Sequence, residues 1–258
     1  MKVAFKKYQG AGNDFVIIDN REGIFNPDNS TLINRLCDRR FGIGADGLIL
    51  IGSSKDYDFE MKYFNSDGFE GSMCGNGGRC SADFAINTGI AGKMHTFKAI
   101  DGLHRAIAER GIINLSMNEV KDPRLVNGSY FINTGSPHYV LFRDKVADID
   151  VDTEGKKFRW AEEFAPGGTN VNFVEVEKDG LYVRTFERGV EEETLSCGTG
   201  VTASAIAAVL SGHFDTGTVR VRTKGGNLAV SLSITGKTVH DIWLAGPATF
   251  VFDGTIDV

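Results

Sequence analysis

Two cysteines stand at matching points of this chain, each where a thiol could take or give a proton. In Cys74-Gly75-Asn76-Gly77-Gly78 and in Cys197-Gly198-Thr199-Gly200 a glycine-broken segment follows the thiol at once, and then a run that reads as a buried helix. The first run continues through Arg79-Cys80-Ser81-Ala82-Asp83-Phe84-Ala85-Ile86 to Gly89, the second through Val201–Leu210 to Gly212. A glycine just past the last apolar turn is a common helix C-terminus. Each cysteine is therefore predicted just ahead of a helix N-terminus, where backbone N–H groups lack partners and the helix dipole is positive. That setting lowers a thiol pKa from about 8.5 to roughly 3.5–7.5, and it attracts anions. Two such thiols on opposite walls of a cleft suit a substrate with a carboxylate and an adjacent C–H. The helix starts hold the carboxylate and the negative charge that builds when the α-proton leaves. One cysteine removes the proton as thiolate, and the other returns one to the opposite face as thiol.

The elements that must position these thiols read as two copies of one unit. Residues 2–8 and 14–19 are predicted strands around the turn Gly10-Ala11-Gly12-Asn13-Asp14; Ser30 is placed to cap a helix with Leu32, Ile33, Leu36 and Cys37 on one face, ended by Gly42. Strands at 48–51 and 59–64 and the turn Asn65-Ser66-Asp67-Gly68 lead to Cys74, and short strands at 94–100, 103–109 and 112–117 follow the helix. The second half repeats these events. Gly12–Ile18 lines up with Gly135–Leu141 (135 − 12 = 123), Asp46–Leu50 with Asn170–Val174 (170 − 46 = 124), Asn65 with Glu187 (187 − 65 = 122), and Cys74 with Cys197 (197 − 74 = 123). A strand around 130–132 and a helix near 153–164 fill the corresponding places. The predicted fold is α+β: two pseudo-symmetric domains, each a many-stranded, mainly antiparallel sheet or barrel wrapped around a central helix. A run such as 201–210, apolar or small on nearly every side, needs burial all round. The first domain is expected over residues 1–118, completed by the final strand at 248–258, and the second over 119–247.

Composition narrows the class. The chain of 258 residues is 41% hydrophobic and 24% charged, an ordinary globular balance. A net charge of -6 with no basic run argues against nucleic acid or an acidic membrane as partner. The N-terminus turns polar too early for a signal peptide, and no stretch approaches about 18 apolar residues, so a cytoplasmic, soluble protein is expected. Four cysteines in such a chain point to chemistry or burial rather than structural disulfides, and none shows CxxC spacing. No pyridoxal lysine motif, metal-ligand spacing or dinucleotide fingerprint is present, which makes the expected inversion cofactor-free and metal-free.

Several motifs together resemble the diaminopimelate epimerase family: Gly10-Ala11-Gly12-Asn13-Asp14-Phe15, Phe64-Asn65-Ser66-Asp67-Gly68, Cys74 through Cys80, Glu187-Arg188-Gly189, Cys197-Gly198-Thr199-Gly200 and the tail Gly246-Pro247-Ala248. They span essentially the whole chain in the family's order. The resemblance implies interconversion of LL- and meso-2,6-diaminopimelate, on the route to lysine and peptidoglycan precursors, and it implies that Cys74 and Cys197 are the acid–base pair. Gly75, Asn76, Gly198 and Thr199 would then supply amides to the carboxylate at the reacting centre. Asn13, Asn65, Asn170 and Arg188 match positions that hold the ends of the substrate, with Arg188 suited to a bidentate grip on the distal carboxylate. Glu187 and His138 match polar residues that bind the reacting amino group and tune the thiols. The expected partner is thus a small amino-acid substrate, and a second copy of the chain in a homodimer. This sequence departs from the family pattern at Ser136, where many members have Asn, and at Gly47, where some carry Gln.

Other readings of the same residues stand beside this one. Cys37 and Cys80 are expected in the core, His95, His104, His213 and His240 at surface or structural positions, Asp14 in a turn, and Glu191–Glu193 in a solvated loop. A proline or hydroxyproline racemase would use the same thiols on a smaller substrate and would have no use for Arg188. A non-enzymatic anion-binding or redox-switch protein would exchange no α-proton with D₂O.

Overall fold

The computed structural model describes residues 2–258. In chain order the elements are β1 (Lys2–Gly10), β2 (Asn13–Asp19), α1 (Ser30–Cys37), β3 (Gly47–Gly52), β4 (Phe59–Asn65), α2 (Gly75–Asn87), β5 (Met94–Ala99), β6 (Gly102–Glu109) and β7 (Ile112–Ser116). Then follow β8 (Val120–Lys121), β9 (Arg124–Val126), β10 (Ser129–Asn133), β11 (Pro137–Phe142), α3 (Val151–Arg159), β12 (Asn170–Glu177), β13 (Gly180–Phe186), β14 (Glu193–Thr194), α4 (Gly198–Leu210), β15 (Gly217–Thr223), β16 (Gly226–Thr235), β17 (Thr238–Gly246) and β18 (Thr249–Asp257). One compact unit holds the residues up to Leu115 together with Gly246–Val258; the other is Ser116–Ala245.

Within the first unit β1 pairs antiparallel with β2 and with β18, β2 runs parallel to β3, β3 antiparallel to β4, β4 parallel to β5, and β5 antiparallel to β6. Within the second unit β10–β11 is antiparallel, β11–β12 parallel, β12–β13 antiparallel, β13–β15 parallel and β15–β16 antiparallel. The order of pairings is the same. The register makes the correspondence exact to the residue: Phe15 stands opposite Gly47 and His138 opposite Asn170, both 123 apart (138 − 15, 170 − 47). Gly47, not Asp46, is therefore the counterpart of Asn170, one residue from the alignment that the sequence suggests. The offset of 123 that relates Cys74 to Cys197 gives this same pairing, so the offset of 124 is one residue too long.

Each central helix sits where strands approach it from several sides. Helix α2 touches β1, β2, β3, β4, β6 and β18; α4 touches β10, β11, β12, β13, β15 and β16. Every residue from Gly198 to Ala208 is buried, as is every residue from Gly75 to Ala82. A helix such as α4, without a polar face, has nowhere else to go, whereas α2 turns a polar end outward at Asp83 and Asn87. Their hydroxyls are satisfied inward by back-bonding one turn up, Ser81 to the Gly77 carbonyl and Ser204 to the Gly200 carbonyl, again at equivalent positions. The peripheral helices differ from expectation at their ends. Asn29, not Ser30, caps α1, because its Oδ1 reaches the Leu32 N–H at 3.0 Å, and the helix stops at Cys37 well before Gly42. Helix α3 starts at an Asp150 cap and ends at Arg159, with a short 3₁₀ turn over Glu162–Phe164 completing the predicted span. Among the described residues no helix is long and apolar enough to cross a membrane.

Candidate active site

Cys74 and Cys197 are the N-caps of α2 and α4, with nearly identical extended backbones: φ −110°, ψ 112° and φ −120°, ψ 112°. The thiols thus point from the same place on equivalent helices.

Around Cys74 the first unit assembles a small polar set. The sulfur accepts the Gly77 N–H at 3.4 Å and its thiol donates to Asn13 Oδ1 at 3.5 Å. Asn13 Nδ2 donates to Asp46 Oδ2 at 2.7 Å, which fixes the amide with its oxygen toward the thiol. Asp46 in turn pairs with Arg39, which also grips Asp14, and Asp14 binds Lys7, whose ammonium reaches the Gly44 carbonyl as well. These cations hold the Asp14 carboxyl well below the usual range despite its partial burial. Gly75 and Asn76 occupy the first turn of α2, buried. Asn65 lies at the exposed end of β4, where its carbonyl accepts the Gly68 N–H in the predicted turn. Gly47 has no room for a side chain, since a Cβ there would lie 2.5 Å from both the Phe64 carbonyl and Tyr63 Cε2.

Around Cys197 the second unit builds a chain of neutral polar groups. Its sulfur lies 3.4 Å from Thr199 Oγ1, which lies 2.9 Å from His138 Nε2; His138 Nδ1 meets the Asn172 amide at 3.3–3.4 Å. Asn172 Nδ2 also donates to the Gly200 carbonyl at 3.2 Å. Gly200 is required here, because a Cβ would come within 3.0–3.2 Å of Asn172 and His138. Burial pushes the imidazole down to about 3, with the charge of Arg188 adding to that and the Asn172 bond opposing it, so the ring is neutral at ordinary pH. A neutral ring can donate from either nitrogen. The chain therefore runs in two polarities, one accepting the thiol proton through Thr199 and one donating toward a thiolate.

A third group sits beside it. Asn170 Nδ2 donates to Ser136 Oγ at 2.9 Å and to the Pro137 carbonyl at 2.7 Å, while its Oδ1 accepts the Arg188 N–H at 2.8 Å. The Arg188 guanidinium reaches Ser136 Oγ at 3.5 Å. Both amide hydrogens of Asn170 are thus engaged within the unit, leaving one acceptor lone pair, and its immediate effect is to set the backbone of Arg188. Glu187 Oε2 accepts the Thr194 hydroxyl at 2.8 Å.

The approach to Cys197 is more ordered than a solvated loop. Glu193 forms a two-pronged pair with Arg184, 2.7 Å at each oxygen, and also binds Lys224; Glu191 binds Arg159. The run of three acids in the sequence concealed that two of them have buried arginine partners. Sequence reasoning also missed Asn172, although residues two apart on a strand share a face and Asn170 was in view. Cys37 and Cys80 lie in the core, where burial pushes the Cys37 thiol up to about 12 and the Cys80 thiol higher still.

The diaminopimelate epimerase family model matches residues 5–106 and 130–251. A diaminopimelate epimerase of Flavobacterium psychrophilum is 49% identical over 97% of this chain and 98% of its own length, and one of Chlorobaculum tepidum is 45% identical over 96% and 98%. This chain belongs to the diaminopimelate epimerase family. Solved structures show how far the same fold extends. A Bacillus anthracis phenazine biosynthesis protein of the PhzF family superposes with a TM-score of 0.74 at 15% identity, covering all of both chains. A probable proline racemase from Agrobacterium radiobacter superposes with a TM-score of 0.75 at 14% identity, covering 99% of this chain and 93% of the other. At those identities the likeness is one of fold alone, whereas the epimerase relatives match in sequence from end to end.

Proposed function

We propose that the chain carries out its family's reaction, the interconversion of LL- and meso-2,6-diaminopimelate, by a two-base transfer in which Cys74 and Cys197 act on opposite faces of one α-carbon. The observation that carries this is the equivalent placement of the two cysteines, each capping the buried central helix of its unit with the same backbone. In each unit the N–H groups of the first helical turn, at Gly75 and Asn76 and at Gly198 and Thr199, are suited to the carboxylate beside the reacting carbon. As the α-proton leaves, the carboxylate takes up negative charge, and two positive helix ends stabilise it more than they stabilise the ground state.

Each thiol has a neighbour that fits both of its protonation states. Asn13 Oδ1 accepts from the Cys74 thiol, and the Gly77 N–H donates to its thiolate. Thr199 serves Cys197 in both senses, with His138 reversing its tautomer behind it. Arg188, set by Asn170 and Ser136, is the group for the distal carboxylate, and Glu187 and Asn65 are the groups for amino or carboxylate ends nearby. A monocarboxylate such as proline would leave Arg188 without a counter-charge, which favours the longer substrate.

The experiment is wash-in of solvent deuterium. LL-diaminopimelate incubated with the enzyme in D₂O is expected to yield meso product labelled at the inverted α-carbon. Proline treated in the same way is expected to stay unlabelled. Labelling of proline but not of diaminopimelate overturns the reading in favour of a racemase of small amino acids; labelling of neither overturns the enzyme reading.

A further inference from the structure

The Cys74 sulfur meets a main-chain donor, the Gly77 N–H at 3.4 Å, and a side-chain acceptor, Asn13 Oδ1 at 3.5 Å. The first contact cannot change its sense. The second could, because a primary amide has an acceptor at one end and two donors at the other, and half a turn would put Nδ2 on the sulfur. Asp46 prevents that turn. Its Oδ2 accepts from Asn13 Nδ2 at 2.7 Å and from the Asp14 main-chain N–H at 3.1 Å, while its Oδ1 accepts from Arg39 Nη2 at 2.7 Å. A carboxylate only accepts. A reversed Asn13 would set oxygen against oxygen and lose the bond.

The turn itself does not need this bond. The main chain at Asn13 is held opposite Gly10 by the β1–β2 pairing. Arg39 binds both oxygens of Asp14 at 2.7 and 3.0 Å, Lys7 binds one of them at 2.6 Å, and the Asp46 N–H donates to the Asp14 carbonyl at 3.0 Å. What the Asp46 carboxylate adds is the direction of the Asn13 amide. The second unit is built otherwise. The places of Asn13 and Asp46 are taken by Ser136 and Thr169 (136 − 13 and 169 − 46, both 123), whose hydroxyls bond the side chain and the carbonyl of Asn170. Cys197 lies against the Thr199 hydroxyl, which can donate or accept. A fixed acceptor therefore faces Cys74, and a reversible group faces Cys197.

We propose that Asp46 is a positioning residue for the reaction: it holds the Asn13 amide oxygen on the Cys74 sulfur and so favours the protonated form of Cys74. A hydrogen bond accepted from the thiol is lost on ionisation, and an oxygen lone pair is then left facing the sulfur anion. The proposal rests on the acid–base reading of Cys74 given above. It adds that the two thiols are not equivalent before substrate binds, Cys74 being the one set to give a proton.

The test reads protonation directly, from the ¹³Cβ signals of enzyme labelled at cysteine, without substrate. Thiol and thiolate carbons differ in shift, and Cys74→Ser and Cys197→Ser assign the two signals. A single pH is used, at which the Cys74 signal of the unaltered enzyme first shows thiolate. Asp46→Asn gives Asn13 an amide partner, so that Nδ2 is free to turn to the sulfur. The thiolate-to-thiol ratio at Cys74 should then rise about tenfold, the size of one hydrogen bond moved from thiol to thiolate, with the Cys197 signal unchanged. Loss of the Asp46 charge pushes in the same direction, so Asp46→Asn is also made in Asn13→Ala, where the charge still acts and no amide can turn. The rise should be several-fold smaller there, and the difference is the part carried by Asn13. Equal rises in the two backgrounds overturn the proposal, as does no rise in Asp46→Asn alone. Should Asp46→Asn fail to fold, Asn13→Ala decides by sign: loss of an acceptor raises the Cys74 ratio, whereas a fall means that the amide was donating and overturns the proposal. No turnover is involved, so failure here leaves the two-base reading intact, and the deuterium experiment judges that separately.

Discussion

At equivalent register positions beneath the two Cys-bearing helices, the first unit carries Phe15 and Ile49 and the second His138 and Asn172. The same pair of glycines looks onto them: a Cβ at Gly77 would meet Ile49 Cδ1 at 3.1 Å, and one at Gly200 would meet the Asn172 amide at 3.0 Å. The backbone has been kept and the chemistry behind the sulfur exchanged. In the first unit the polar support comes through Asn13 and Asp46. In the second it comes from a neutral Thr199–His138–Asn172 chain. A duplicated scaffold thus gives two thiols the same position and different surroundings, which an epimerase needs if one must hold a proton while the other lacks it.

The comparison breaks most sharply at the cysteines. Replacing either Cys74 or Cys197 by Ser leaves a hydroxyl too weakly acidic to ionise, and every turnover uses both faces. Each variant should lose epimerisation in both directions by on the order of 10³-fold or more. The surviving thiolate should still exchange the proton on its own face, so in D₂O the two variants should label opposite stereoisomers. Full activity in either variant would make that cysteine structural and end the equivalence of the two units.

The next largest effect is expected at Arg188, which has no counterpart in the first unit, where Asn65 and its turn stand. Arg188→Met removes the charged grip and leaves a distal carboxylate unpaired, at a cost of about 3–5 kcal/mol in kcat/KM. The fold should be unaffected, since the side chain is half-buried and bonds only Ser136. Near-normal kinetics on diaminopimelate would show that the long substrate is held elsewhere.

A smaller effect separates the units by pH. The His138 pKa is pushed down to about 3 in the native state, against about 6.5 in an unfolded chain. Between those values the unfolded chain binds a proton that the native one does not, so stability is fully present above about pH 6.5 and falls as pH drops toward 3. From pH 7 to pH 5 the loss from this group should be about 2 kcal/mol in urea unfolding. His138→Gln should lack that part of the slope, and the equivalent place in the first unit, held by Phe15, contributes none. An unchanged slope in the variant would mean that the imidazole is solvated and the polar chain is not formed.

Much of this was present in the chain itself. Periodicity and glycine placement marked both central helices, because a helix apolar on all sides must be enclosed whatever encloses it. The cap positions of Cys74 and Cys197 followed from local chemistry at a helix start. Motif order along the chain was enough to suggest the family. What the sequence could not determine was everything set by register and by contacts distant along the chain. The correspondence of Gly47 with Asn170 is fixed by strand pairing, which corrects the sequence alignment by one residue. Asn170 looked like a ligand for substrate, and only packing shows its amide hydrogens taken by Ser136 and Pro137. Glu191 and Glu193 read as solvated acids until Arg159 and Arg184 came to meet them from other elements. Arg79 is the clearest case. In sequence it is one polar residue in a buried helix; in the fold Gly10 and Pro247, 69 and 168 residues away (79 − 10, 247 − 79), leave it a space with oxygens and no acid. Local sequence states which groups are available, but only tertiary structure decides which charge has water and which has only neutral oxygens to answer it.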